Sequence, residues 1–462
     1  MNGTTFNRRR FLKSAAALAA PVLSTLRHSG FAYPEKQTHT MIPRPDLLPR
    51  DAPEGVEVFQ LSDDPASMGH IYMEAQIFTP DSRRLVLRRA AFSHDGDRYN
   101  PAHCHMLCDL ENNGELSPLT RELGVAGPCV SPDGKFFYYF VADEAGTRVE
   151  LKRVNLDGTG RETVHVLDGA IPGTSHRASN LYPLSTLSSD GKRLAMPVFL
   201  GDGETENAPF GLLVYDLEKA ALNLILEGTS WSNLHPQYCR SQDPAACHDI
   251  MIQENHGAEY DRKGVHLPGK LVGGQGADIH LVRDDGTDFR DFPCGRDVTR
   301  ETCQGHQCWR GRGETAVIGT EGPPREGKGA KMELVEARAA PSAGHKGIHT
   351  PEAWRNDLSR GFEDPRFCHF GVDTNGRRIL SDYPAHDGRW LLYAAEFGTG
   401  EDDPLANWRF VLDARSTKPA HPHPFLSPDG TKGFFNSDET GIIQPYMVTG
   451  LWNDATQSRD DG

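Results

Sequence analysis

The sequence predicts an all-β fold, a seven-bladed β-propeller, on three observations. Gly (47) and Pro (32) make up about one residue in six of 462, a turn-rich composition that excludes a coiled coil or a collagen-like chain. A Ser-Pro-Asp-Gly type of turn recurs along the chain between short apolar runs. Helical periodicity is scarce, whereas the runs flanking the turns are rich in β-branched and aromatic residues.

The turns centre on Asp81, Asp133, Asp190, Asp243, Arg312, Asn375 and Asp429, which lie 52, 57, 53, 69, 63 and 54 residues apart. Pro fixes one φ and Gly accepts φ > 0, so each turn favours a tight hairpin. The runs beside them, such as Arg84–Leu87, Phe136–Phe140 and Arg193–Val198, read as short strands. Second hairpins with their own Asp-Gly follow at Asp157-Gly158 and Asp285-Gly286. Four short strands per unit, repeated seven times, is the arithmetic of a propeller spanning residues 50–455. An array of separate β-sandwiches would show linkers between units, and none is seen. The run Val56–Phe59 is expected to complete the last blade, because ring closure needs a strand from the other end of the chain. Two long spacings mark expected insertions, near 257–276 and 321–365, of the kind that caps one mouth of a propeller channel.

The first 34 residues stand apart. Asn7-Arg8-Arg9-Arg10-Phe11-Leu12-Lys13 precedes an apolar stretch from Ser14 to Leu26 and a small-residue end at Gly30-Phe31-Ala32. These are the parts of an export signal of the twin-arginine type, which implies a periplasmic or secreted protein. No other apolar run approaches the ~18 residues of a membrane span. The formal charge is −15, and loss of residues 1–34, which hold five basic and no acidic residues, would leave a chain five units more negative. Without a basic run, nucleic acid is not an expected partner, and a site for an anion must concentrate cations locally. The nine cysteines include no Cys-x-x-Cys pair, leaving one or two disulfides open. His103-Cys104-His105 with Cys108 is a weak candidate for a metal group.

No Gly-x-Ser-x-Gly elbow, phosphate loop or dinucleotide fingerprint is present. Histidine, however, recurs just ahead of successive turns: His235, His306, His369, and His421 with His423. The first strand of each blade borders the central channel, so residues leading into it converge on one mouth. Imidazoles from different blades can therefore meet around one ion, His421 and His423 projecting to the same side of an extended segment.

The segments His235-Pro236-Gln237, Glu254-Asn255-His256-Gly257, Gly305-His306-Gln307-Cys308-Trp309 and His421-Pro422-His423-Pro424, with Ser427-Pro428-Asp429-Gly430 and Asn436-Ser437-Asp438, resemble the oligogalacturonate lyases, pectate lyases built on a seven-bladed propeller. The similarity covers most of residues 55–450 and is best in the last four repeats. It implies β-elimination on uronate-containing oligosaccharides, with Mn2+ or another divalent cation held by His306, His421 and His423. It also implies a base at His256. His235 is the next candidate for that role, and Lys418, Arg240 and His369 are expected to contact substrate. Lys418 stands where the family has a metal-binding glutamine, Gln307 where it has an acid, and Asn255 where a cysteine is common. Lys418 is expected to point away from a cation that the three histidines still bind. The second reading is a non-catalytic periplasmic propeller that binds a glycan or a protein partner.

Overall fold

The computed structural model describes residues 34–38, 41–91, 102–143, 146–271, 276–295, 299–313, 315–326, 329–340, 354–398, 406–417 and 420–452. The export-type segment lies outside these residues apart from Pro34, as does Lys418. Seven antiparallel sheets are arranged as the blades of a β-propeller. Among the described residues the only helical element is the single turn Pro45–Leu47.

Each of the seven turns joins the innermost strand of a blade to its second strand. In blade 3, for example, Thr186–Leu187 leads through Asp190 to Arg193–Phe199, and in blade 7 Phe425–Leu426 leads through Asp429 to Gly433–Ser437. The local chemistry repeats. Ser131, Ser188 and Ser427 donate to Asp133, Asp190 and Asp429 at 2.6, 2.6 and 2.5 Å, and their Oγ atoms accept from the N–H groups of Phe136, Arg193 and Lys432, at or just before the start of the next strand, at 2.9 to 3.0 Å. The side chains thus satisfy the backbone donors that the turn leaves over.

The ring closes as the sequence predicts. Glu57–Gln60 pairs antiparallel with Gln444–Thr449, Val58 opposite Val448, and Ile42–Pro43 adds an outer strand to the same sheet. Blade 7 is therefore built from both ends of the chain. The core lies between blades rather than in one centre. Leu85, Met106, Phe137 and Tyr139 pack as one cluster across blades 1 and 2, and Ile250, Ile252, Val282 and Trp231 fill the space between blades 3 and 4.

The stretch expected as an insertion at 321–365 holds the third and fourth strands of blade 5, Met332–Arg338 and Trp354–Asp357. Its Gly and Lys content masked two ordinary strands. All nine cysteines are buried and free, so no disulfide forms. His103, Cys104, His105 and Cys108 share the third strand of blade 1 without forming a donor group.

His105 is 1% exposed, and burial, with the guanidinium of Arg88 nearby, pushes its pKa down to about 3. Between that value and its unfolded pKa of about 6.5 the unfolded chain binds the extra proton, so stability is lost as pH falls through this window. His105→Phe, which keeps the ring contact with Phe137, should gain on the wild type by up to about 1.4 kcal/mol per pH unit below 6.5. Denaturant midpoints measured between pH 7 and 4 check this; parallel curves for the two proteins would refute it.

Candidate metal centre at the propeller mouth

The inner strands of blades 5, 6 and 7 and the residues leading into them bring four imidazoles together. Ring centroids of His369 and His423 lie 3.8 Å apart, of His306 and His369 4.4 Å, of His421 and His423 5.3 Å, and of His369 and His421 5.5 Å. Donor atoms of His369, His421 and His423 all lie within 4.8 Å of one another, and His306 joins His369 and Cys368 in an overlapping group. His369 is thus the common member. The sequence grouped His306 with His421 and His423 and placed His369 among substrate contacts; the structure centres the cluster on His369.

Local backbone explains how each ring is aimed. His306 sits in a register shift of the inner strand Thr302–Trp309, between Cys303 and Gln307, where a bulge turns a side chain out of the pleat. Gly305 makes this possible at φ +87°, since a Cβ there would come within 2.9 Å of the Gln253 amide. His421 and His423 are not on an extended segment as expected. Their φ values are +46° and +43°, either side of Pro422, and the rings come out nearly stacked at an interplanar angle of 24°. The Pro422 carbonyl fixes this segment by accepting from the N–H of Asn436 at 2.8 Å and lying 3.3 Å from His70 Nε2. His235, with φ +45°, completes the set. Left-handed backbone at three non-glycine residues costs of order 1–3 kcal/mol each and concentrates where function holds it.

The outer nitrogens of two of the rings, His369 and His423, are engaged. Asp382, fully buried, accepts the backbone N–H of His369 at 2.8 Å and contacts its Nδ1 at 2.8 Å. Burial drives the Asp382 pKa well up, while the backbone N–H groups of His369 and His423 pull it the other way. His423 Nδ1 lies 3.2 Å from the His421 carbonyl. Each arrangement leaves Nε2 for the cluster, the pattern by which a second-shell acceptor orients a ligating imidazole. These two imidazoles, with His421 beside them, offer a donor set that fits a divalent transition cation. The His306 pKa is lowered well below its ordinary value, by burial first and then by His369 and His235, so the ring is neutral at neutral pH. Its Nδ1 finds no hydrogen-bond partner among the described residues.

His235 stands across the mouth, with the Tyr72 ring between it and His423 at 5.4 and 5.2 Å. Its Nδ1 lies 2.5 Å from Glu74, a carboxyl whose pKa is raised by burial and which also accepts from Gln237. His256 is elsewhere, at the end of the second strand of blade 4, with Nε2 3.3 Å from Asp278 and 3.4 Å from Glu254. Arg240 follows the inner strand of blade 4 at the end opposite His235, and donates to the Val372 carbonyl at 3.2 Å. Sequence reasoning missed His70, Tyr72, Glu74 and Asp382. Only His70 left a signal, a histidine ahead of the first turn as in the later repeats.

The class is therefore a seven-bladed propeller with a histidine donor group at one mouth. No family model and no curated protein matches the sequence. Among solved structures, the chain is similar to an oligogalacturonate lyase from Vibrio parahaemolyticus at 17% identity and TM-score 0.63, covering 90% of this chain and 98% of that one. It is similar to an oligogalacturonate lyase in complex with manganese at 18% identity and TM-score 0.62, with the same coverage. At these identities the likeness establishes the shared fold.

Glu74→Ala should destabilise the protein by about 3 kcal/mol, because it leaves His235 and Gln237 short of an acceptor in a buried site and opens a cavity. Chemical denaturation checks this, and an unchanged midpoint would show that Glu74 does not anchor the mouth.

Proposed function

We propose that this protein is a polysaccharide lyase that cleaves uronate-containing oligosaccharides by β-elimination, exported through its N-terminal segment. The observation that carries the reading is the donor group of His369, His421 and His423 at the mouth of a fold similar over 90% of the chain to oligogalacturonate lyases. A divalent cation such as Mn2+ held by these three rings would neutralise the charge that builds on the uronate carboxylate as its α-proton leaves.

The remaining roles belong to side chains at the same mouth. His306, kept neutral by burial, takes the proton from C5; the C5–H electrons form the C4=C5 double bond as the C4–O bond breaks, and the departing oxygen takes its proton from the imidazolium so formed. Asp382 keeps the His369 ring in register, and Glu74 does the same for His235 on the facing side. This assignment moves the base from His256, the residue implied by sequence resemblance, to His306, because His306 adjoins the donor group and His256 Nε2 is turned to two carboxylates.

Two outcomes follow. His306→Ala should lower the rate at which unsaturated product forms from uronate oligosaccharides by about 10²–10⁴-fold, with Mn2+ affinity retained. If His256→Ala abolishes product while His306→Ala does not, the base is His256. Asp382→Asn should weaken Mn2+ binding to the metal-stripped protein by about 10–100-fold, read by calorimetric titration; unaltered affinity would place the cation elsewhere. Bound Mn2+ with no unsaturated product from any uronate oligosaccharide would favour the glycan-binding reading.

A further inference from the structure

Blade 4 carries a second cluster, on the face of its sheet that packs toward blade 3. Its residues come from three adjacent strands: Glu254 from Asp249–Asn255 with His256 just after it, Asp278 and His280 from Ala277–Arg283, and Asp291 from Arg290–Asp291. Strand register sets Glu254 directly opposite Asp278, and His280 opposite Asp291. Asp278, His280 and Asp291 are 3 to 4% exposed, and Trp231 and Phe289 pack against the His280 ring at 5.8 and 4.7 Å. Like charges directly opposed across a strand pair are destabilising, and burial beside aromatic rings removes the water that would screen them. Glu254 and Asp278 therefore need positive charge between them, from the facing imidazoles or from an ion.

The donor atoms are arranged for one. His256 Nε2 lies 3.3 Å from Asp278 Oδ2 and 3.4 Å from Glu254 Oε2; His280 Nε2 lies 3.2 Å from the same Glu254 oxygen and 4.0 Å from the same Asp278 oxygen. Four ligand atoms on a tetrahedron about an ion, with bonds of about 2.0–2.1 Å, stand about 3.3–3.4 Å apart; Glu254, Asp278 and His280 already form a donor group by mutual distance, with His256 3.3 to 3.4 Å from its two carboxylates, and the His280–Asp278 separation of 4.0 Å would close on binding. The outer positions are also filled: His280 Nδ1 is 2.6 Å from Asp291, and Ser230 donates to Glu254 Oε1 at 2.6 Å. A carboxylate behind a ligating imidazole fixes its orientation and raises its basicity.

We propose that Glu254, His256, Asp278 and His280 form a second metal site, distinct from the histidine cluster at the mouth, that binds Zn2+ with two nitrogen and two oxygen ligands. Its place in the fold gives it a structural task. His256 and Asp278 flank the 257–276 segment, whose ends are already joined by the His256 N–H to the Gly276 carbonyl at 3.0 Å. The ion ties that junction to the edge strand of the blade.

The test is independent of the lyase reading. The full-length protein, stripped with a chelator and dialysed against Zn2+, is analysed for metal per chain alongside His421→Ala, Asp278→Asn and the double variant. Two ions in the wild type, one in each single variant and none in the double variant support the site. Loss of the Asp278-dependent ion with retention of the His421-dependent one in Asp291→Asn, at about 10–100-fold weaker binding, supports its second shell. Zn2+ content unaffected by Asp278→Asn overturns the proposal, whereas loss confined to Asp278→Asn leaves this site standing and refutes the cation at the mouth. Should Asp278→Asn fail to fold, Co2+ substitution of His421→Ala decides: intense visible bands of four-coordinate Co2+ support the site, and their absence overturns it.

Discussion

The pairing of Glu57–Gln60 with Gln444–Thr449 is the interaction on which the rest depends. A lone four-stranded blade buries too little apolar surface to persist, and each blade here covers its faces only against its neighbours. Closing the ring across chain ends some 390 residues apart removes the two open edges at once and fixes the rotation of every blade about the channel. Only then do the inner strands of blades 5, 6 and 7, separated by two repeats in sequence, begin at one point in space. The histidine cluster is a product of ring closure before it is a product of any local motif.

The fold was legible because propeller turns carry their own chemistry. Ser131, Ser188 and Ser427 each cap a turn through an Asp two residues on, and that pattern survives in the sequence whatever the strands do. Blade 5 was harder, since Arg310-Gly311-Arg312-Gly313 replaces the Ser-Asp pair and a Gly- and Lys-rich stretch surrounds two of its strands. The site was legible as a set of histidines but not as an arrangement. Recurrence ahead of the turns placed His235, His306, His369, His421 and His423 at one mouth, while the centring on His369 follows from a bulge at Gly305 and from Asp382, thirteen residues downstream of His369 on the next strand. Neither a bulge nor a cross-strand acceptor has a sequence period that would reveal it.

The backbone at the mouth shows what holds the rings in place. His235, His421 and His423 occupy the left-handed region, which β propensity alone would never select. The Pro422 carbonyl, and Asp382 by accepting the His423 backbone N–H, hold the turn at His421 and His423 against that strain, while Glu74 holds the His235 ring. Rings fixed in this way need little reorganisation when a ligand arrives, so more of the binding free energy is available to orient a substrate.

Charge gives the last constraint. A chain of formal charge −15 repels an anionic oligosaccharide at long range, yet among the described residues the mouth gathers imidazoles with two buried carboxyls, Asp382 and Glu74, both turned to ring nitrogens. Burial raises the pKa of each of these carboxyls, which reduces the negative charge they present toward the channel. The opposite choice is made in blade 4, where Glu254 stays ionised, its pKa held down to about 2 against the upward pull of burial by His280, Ser230 and His256. Two clusters of the same residue types thus differ in arrangement: one keeps its carboxyls behind the imidazoles and presents ring nitrogens to the channel, the other turns its carboxyls inward among the imidazoles.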